Sequence, residues 1–230
     1  MEDTGDAKNF KVRGRHFVVT NDRWGQDVTC KHGGYYTCND RYLPDELQEK
    51  KWENAMSLDR YSFGYRRNAN YEDYLSFDEL VTTVIQTVAY GGNILINIGP
   101  GHDGTINMIF QERLLELGDW LSINGEAIYE SSPWTVAQKD NLTQNVYYTI
   151  RNGNYYASFL KWPVNDEIGI LYLGSVSEMF NANTTVSLLG LNGNLFWTKD
   201  NNVVKITLPN LALITTKSAW VIKIENAQKK

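Results

Sequence analysis

Residues 76–100 read SFDELVTTVIQTVAYGGNILINIGP, and the order of elements in that stretch decides the architecture. Ser76 with Glu79 three residues later is a capping box, in which each side chain satisfies an amide at the start of a helix. Phe77, Leu80, Val81, Val84, Ile85 and Val88 recur at helical spacing, and Gly91 supplies the stop. A buried strand follows at once in NILINIGP (93–100), closed by Asn97 and a Gly-Pro turn. INMIFQERLLELGDWLSINGEAIYES (106–131) then places Ile109, Phe110, Leu114, Leu117 and Leu121 on one helical face, with a stop near Gly125. Working outward, HFVVT (16–20) and RYSFGY (60–65) read as strands, and 25–53 as a long Gly- and Tyr-rich loop. Strands alternating with amphipathic helices predict a parallel β/α fold. Polar residues at strand ends, Asn21-Asp22-Arg23 and Asn97, favour a barrel, whose sites occupy the carboxyl face.

After Pro133 the pattern changes to short strands broken by Asn-Gly, Asn-Asp and Asp-Asn-Asn turns: NVYYTIRNGNYYASFLKW, GILYLGSV, TTVSLLGL, LFWTKDNNVVKITLP and SAWVIKIEN. This predicts an antiparallel β-sandwich. The expected division is 1–134 and 135–230.

Composition removes several function classes. The net charge of −5 with no basic stripe excludes an electrostatic footprint for nucleic acid or an anionic membrane. No apolar run approaches the roughly 20 residues that span a bilayer, and the first residues, MEDTGDAKNFKVRGR, lack the apolar core of a secretory signal. A metal site is not expected, because His16, His32 and His102 are the only histidines and none stands at helical ligand spacing to another. Aromatic residues make up 13% of the chain, which suits sugar stacking and tight β-rich cores equally. Asn141 and Asn183 each begin a glycosylation sequon. Cys30 and Cys38 would form a local disulfide in an oxidising compartment and remain thiols in a reducing one.

VVTNDRWGQ, CKHGGYYTCND, KWENAMSLDRYSFGYRR, GGNILINIGPGHDG and FQERLLELGDWLSINGEAIYESSPW occur in that order over residues 18–134. Together they resemble the α-L-fucosidases, most closely the animal enzymes, a family of retaining glycosidases with a β/α barrel and a C-terminal β-sandwich. The resemblance implies an α/β plus all-β chain: the C-terminal half of a (β/α)8 barrel followed by an antiparallel β-sandwich. It implies release of terminal α-L-fucose from glycoconjugates with no cofactor, fucosylated glycans or glycoproteins as partners, a lysosomal or secreted location, and a homo-oligomer for the intact enzyme. Arg23 corresponds to the arginine that contacts fucose, although its guanidinium also suits a salt bridge with Asp22. Trp24 lines the pocket or caps the barrel. His32, Tyr35 and Tyr36 contact sugar or pack the loop. Two carboxyl groups are needed for glycoside cleavage with retention; the acid/base corresponds to Asp40 or Glu53, with the animal sequences favouring Asp40. The family's nucleophile, an aspartate on an earlier strand, has no counterpart here, so these residues alone are expected to be inactive. The alternative is a non-catalytic carbohydrate-binding or interaction module.

Overall fold

The computed structural model describes residues 20–163 and 169–227, with the backbone alone at 11–12 and 15–16. Strands β1 (Lys11–Val12) and β2 (Arg15–His16) pair antiparallel. Of the strand expected over 16–20, residues 17–19 lie outside the described residues.

The capping box at residue 76 forms as the sequence requires. The Glu79 amide donates to Ser76 Oγ, and the Ser76 amide donates to Glu79 Oε2 at 2.8 Å. Helix α1 runs over Phe77–Ala89, and Gly91 takes up the left-handed conformation (φ 82°) just past its end. Leu80, Val81, Val84 and Ile85 are buried, each worth about 1.5–3 kcal/mol on removal from water. Strand β3 (Trp52–Ser57) precedes the helix and strand β4 (Gly92–Asn97) follows it; the two pair in parallel from Trp52 opposite Gly92 to Ser57 opposite Asn97. Helix α2 covers Met108–Asn124, capped by the Asn107 side chain.

One expected strand is displaced. Residues 60–65 turn about Asp59, and the strand lies upstream at 52–57, where WENAMS carries little intrinsic β preference. Tertiary packing decides the matter: Trp52 and Met56 join the same buried cluster as Leu80 and Val84, and the Trp52 indole donates to the Tyr90 carbonyl at 3.1 Å.

The C-terminal part is all-β. β5 (Ser132–Pro133), β6 (Val146–Arg151), β7 (Asn154–Phe159), β8 (Ile170–Leu173), β9 (Thr185–Leu188), β10 (Trp197–Asp200), β11 (Val203–Thr207) and β12 (Trp220–Glu225) form two antiparallel sheets, ordered β5-β6-β7-β12-β9 and β10-β11-β8. Asn152-Gly153 and Asn201-Asn202 make the two-residue hairpin turns. The central strands of the larger sheet, β6, β7 and β12, are largely buried on both faces. Val146, Tyr148, Tyr155, Ile222 and Ile224 pack into the sandwich core, whereas Tyr147, Tyr156 and Val221 belong to the cluster around α1 and α2. No helix among the described residues is long and apolar enough to cross a membrane.

Glu79 makes this architecture acid-sensitive. The Arg60 guanidinium, 2.5 Å away, holds its carboxyl down at about 2; partial burial opposes the shift, and the Ser76 amide and hydroxyl reinforce it. A carboxyl depressed in the folded state contributes stability that is complete above its ordinary value of 4.5 and is lost as pH falls towards 2. Glu79→Gln is therefore expected to lower the urea midpoint at about pH 6 and to change it far less at about pH 2.5. An equal loss at both pH values, read by tryptophan fluorescence, would refute the assignment.

Candidate functional site

The loop between Thr20 and Lys51 has little regular structure, so its shape comes from specific contacts. Asp22 is fully buried. One oxygen accepts the Thr37 amide at 2.8 Å and the Thr37 hydroxyl at 2.9 Å; the other accepts the Cys30 amide at 2.6 Å and the Cys38 amide at 3.1 Å. Burial raises the carboxyl's pKa, but the donors from Thr37, Cys30 and Cys38 outweigh it, and the net position lies below the ordinary aspartate value. A disulfide joins Cys30 to Cys38, with Cα atoms 4.9 Å apart. Both cysteines adopt left-handed backbone, at φ 56° and 48°, a conformation that costs a non-glycine residue about 1–3 kcal/mol and persists where surrounding contacts over-determine it. Asp22, Cys30 and Cys38 also bring three ligand-type atoms within 4.8 Å of one another. The sulfurs are bonded to each other and the carboxylate is filled with donors, so this trio is committed to structure.

Arg23 follows directly. Its amide donates to Asn21 Oδ1 at 3.1 Å and its Nη1 to Asp40 Oδ1 at 2.5 Å. The salt bridge with Asp22 that the sequence also allowed is replaced by this one, because Asp22 turns inward to the amides. The pair is accessible: the side chains of Arg23 and Asp40 are 33% and 49% exposed. The neighbouring Arg41, also left-handed at φ 58°, donates its amide to the Ala55 carbonyl at 2.8 Å. That bond sets Asp40 beside the carboxyl half of β3.

Glu53 has different surroundings. As the second residue of β3 it accepts from the Asn93 side-chain amide at 2.8 Å and lines a cavity of about 650 Å³ with Tyr35, Asn93, Tyr129 and Glu130. Burial, followed by the charges of Glu53 and Asp22, pushes the Tyr35 phenol above its ordinary value. Tyr36 is engaged in packing. Its hydroxyl donates to the Lys31 carbonyl at 3.0 Å, its backbone bridges to Trp52, and the Lys50 ammonium lies 4.7 Å from its ring centre. Trp24 is half exposed, and His32 is exposed with its amide donating to the Val28 carbonyl at 2.9 Å. The structure thus joins Arg23 with Asp40 and places Glu53 with Tyr35. Asn141 and Asn183 are both exposed on the sandwich.

Sequence reasoning missed Asp22 as the organiser of the loop, and it missed Asp59. Asp59 is buried and binds Arg66 through two hydrogen bonds, at 2.7 and 2.9 Å. Burial raises its pKa, but Arg66 and the Tyr61 amide more than compensate, leaving it lowered. Asp59 and Arg66 stand seven positions apart in a segment without periodicity, which leaves no pattern for sequence reading to catch.

Comparison with known proteins adds an independent line. The family model described as alpha-L-fucosidase matches residues 3–126, and that described as the alpha-L-fucosidase C-terminal domain matches 138–225. Human plasma alpha-L-fucosidase is 47% identical over 220 residues, covering 94% of this chain and 46% of that protein. Rat tissue alpha-L-fucosidase is 47% identical over 210 residues, covering 90% and 44%. Among solved structures, the Thermotoga maritima alpha-fucosidase in complex with fucose superposes with a TM-score of 0.70 at 31% identity, over 89% of this chain and 44% of that one. The chain therefore spans about half the length of the curated relatives it matches.

Asp22→Ala would leave the Cys30, Thr37 and Cys38 amides inside the loop without their acceptor, at a cost of about 1–3 kcal/mol or more. Chemical denaturation is expected to show that loss, and the Cys30–Cys38 bond is expected to be reduced faster by dithiothreitol. Unchanged stability together with an unchanged reduction rate would mean that the carboxylate does not organise the loop.

Proposed function

The chain belongs to the α-L-fucosidase family, and from that premise we propose that Arg23 and Asp40 form part of a site for terminal α-L-fucose in a retaining glycosidase. The observation that carries the reading is the 2.5 Å contact between the Arg23 guanidinium and the Asp40 carboxylate at an accessible position. In this reading Arg23 orients the sugar through its hydroxyls. Asp40 in its protonated form donates to the departing glycosidic oxygen, and the resulting carboxylate, beside Arg23, then takes a proton from the water that releases fucose. Asp40 is favoured over Glu53 by placement. The β3-α1-β4-α2 run is proposed to be the C-terminal half of a (β/α)8 barrel, covering residues 1–134 and followed by the sandwich at 135–230. Barrel sites occupy the carboxyl ends of strands; Asp40 lies beside that end of β3, whereas Glu53 sits near the opposite end. The attacking carboxylate is proposed to lie outside these residues.

The substrates proposed are fucosylated glycans or glycoproteins, and the intact enzyme is proposed to work as a homo-oligomer. A secreted or lysosomal setting is supported by the Cys30–Cys38 disulfide, since such bonds persist in oxidising compartments. The exposed sequons at Asn141 and Asn183 agree with it. The rival reading, a carbohydrate-binding module without turnover, keeps the same Arg23 contact.

Calorimetry with L-fucose tests the site: the chain is expected to bind the sugar, and Arg23→Ala to abolish binding. Retained affinity in that variant would place any sugar contact elsewhere. The same polypeptide alone is expected not to hydrolyse an aryl α-L-fucoside; robust turnover would require a nucleophile among these residues.

A further inference from the structure

The loop over residues 60–66 is held with unusual firmness for a segment that presents aromatic rings to water. Asn97 Nδ2 donates to the Phe63 carbonyl at 2.6 Å. A Cβ at Gly99 would stand 2.5 Å from the Tyr65 amide nitrogen, so the loop lies backbone to backbone against the segment leaving the carboxyl end of β4. At its start the Tyr61 amide donates to Asp59 at 2.8 Å. At its end Arg66 is clamped by two bonds to Asp59 and one, at 3.0 Å, to Asp73. The Arg66 guanidinium then stands 5.4 Å from the centre of the Tyr61 ring, and that of Arg41 stands 5.4 Å from the Phe63 ring while donating to the Asp59 carbonyl. Arg41, the chain neighbour of Asp40, thereby contacts this loop directly.

Tyr61 is 72% exposed and Tyr65 is 45% exposed. Single exposed aromatics are ordinary. Two on one clamped loop, coupled through Arg41 to a candidate sugar site, call for a ligand. A tyrosine offers a flat apolar face and a polar hydroxyl, and rings on a fixed backbone lose little further freedom when something docks on them. Sugar rings suit such a surface, since their C–H faces pack on aromatics while their hydroxyls stay wet.

We propose that loop 60–66 binds the sugar residue to which the fucose is attached, with Tyr61 and Tyr65 as its contact surface. The proposal rests on the Arg23–Asp40 reading for the position of the fucose itself.

The test titrates the full chain with L-fucose, lactose and 2′-fucosyllactose by ligand-observed NMR. Fucosyllactose is expected to bind ~10-fold more tightly than fucose, about 1.4 kcal/mol, from its added contact with Tyr61 and Tyr65. The double variant Tyr61→Ala/Tyr65→Ala is expected to erase that advantage and leave fucose affinity unchanged. Tyr61→Phe/Tyr65→Phe, which keeps both rings, is expected to retain most of it, which separates lost stacking from lost folding. If fucose itself fails to bind but lactose binds and is lost in the alanine variant, the Arg23–Asp40 reading falls and the loop site stands. Fucosyllactose binding no tighter than fucose, or an advantage untouched by the alanine variant, overturns the proposal.

Discussion

A sheet whose central strands are covered on both faces holds the described molecule together. Strands β6, β7 and β12 send Tyr148, Tyr155 and Ile222 into the sandwich and Tyr147, Tyr156 and Val221 against the helices, so one layer serves two cores. Four polar contacts cross the junction between the two cores. Gln86 donates to the Tyr147 hydroxyl at 2.7 Å, the Trp120 indole to the Ala219 carbonyl at 2.9 Å, the Thr149 hydroxyl to the Ala127 carbonyl at 2.8 Å, and the Tyr156 hydroxyl to Glu126 at 2.7 Å. Leaving any of these unmade would cost about 1–3 kcal/mol. The two segments matched by separate family models are therefore joined by shared packing.

Above this base the candidate site depends on two buried carboxylates held in contrasting ways. Asp22 is neutralised by amide and hydroxyl dipoles from its own loop, and Asp59 by the full charge of Arg66. Each converts an irregular segment into a fixed one, which is how a site built on loops acquires defined geometry. Arg41 links the two: its amide reaches β3, its side chain reaches the Asp59 carbonyl, and its chain neighbour is Asp40.

Helix α1 was legible because its cap, its stripe and its terminal glycine are all local, and the sandwich strands because Asn-Gly and Asn-Asn turns punctuate them. Strand β3 was not, since Trp-Glu-Asn-Ala-Met-Ser becomes a strand only by pairing with β4, forty positions downstream. The family likeness pointed to Arg23 and left both Asp40 and Glu53 as acid/base candidates, with the animal sequences favouring Asp40. The structure gives the two different surroundings, through one hydrogen bond from Arg41 to Ala55 and the contact of Glu53 with Asn93. The inward turn of Asp22 could not be foreseen, because its donors come from a stretch without periodicity.

The contacts that shape the Asp22 loop are short in sequence: Asp22 to Cys30 spans eight positions, Asp22 to Thr37 fifteen, and Arg23 to Asp40 seventeen. The Trp120 to Ala219 bond that docks the sandwich spans ninety-nine. Closing a chain segment costs more entropy as the segment lengthens. Bringing the arginine to its carboxylate therefore costs less closure entropy than docking the last strand against helix α2.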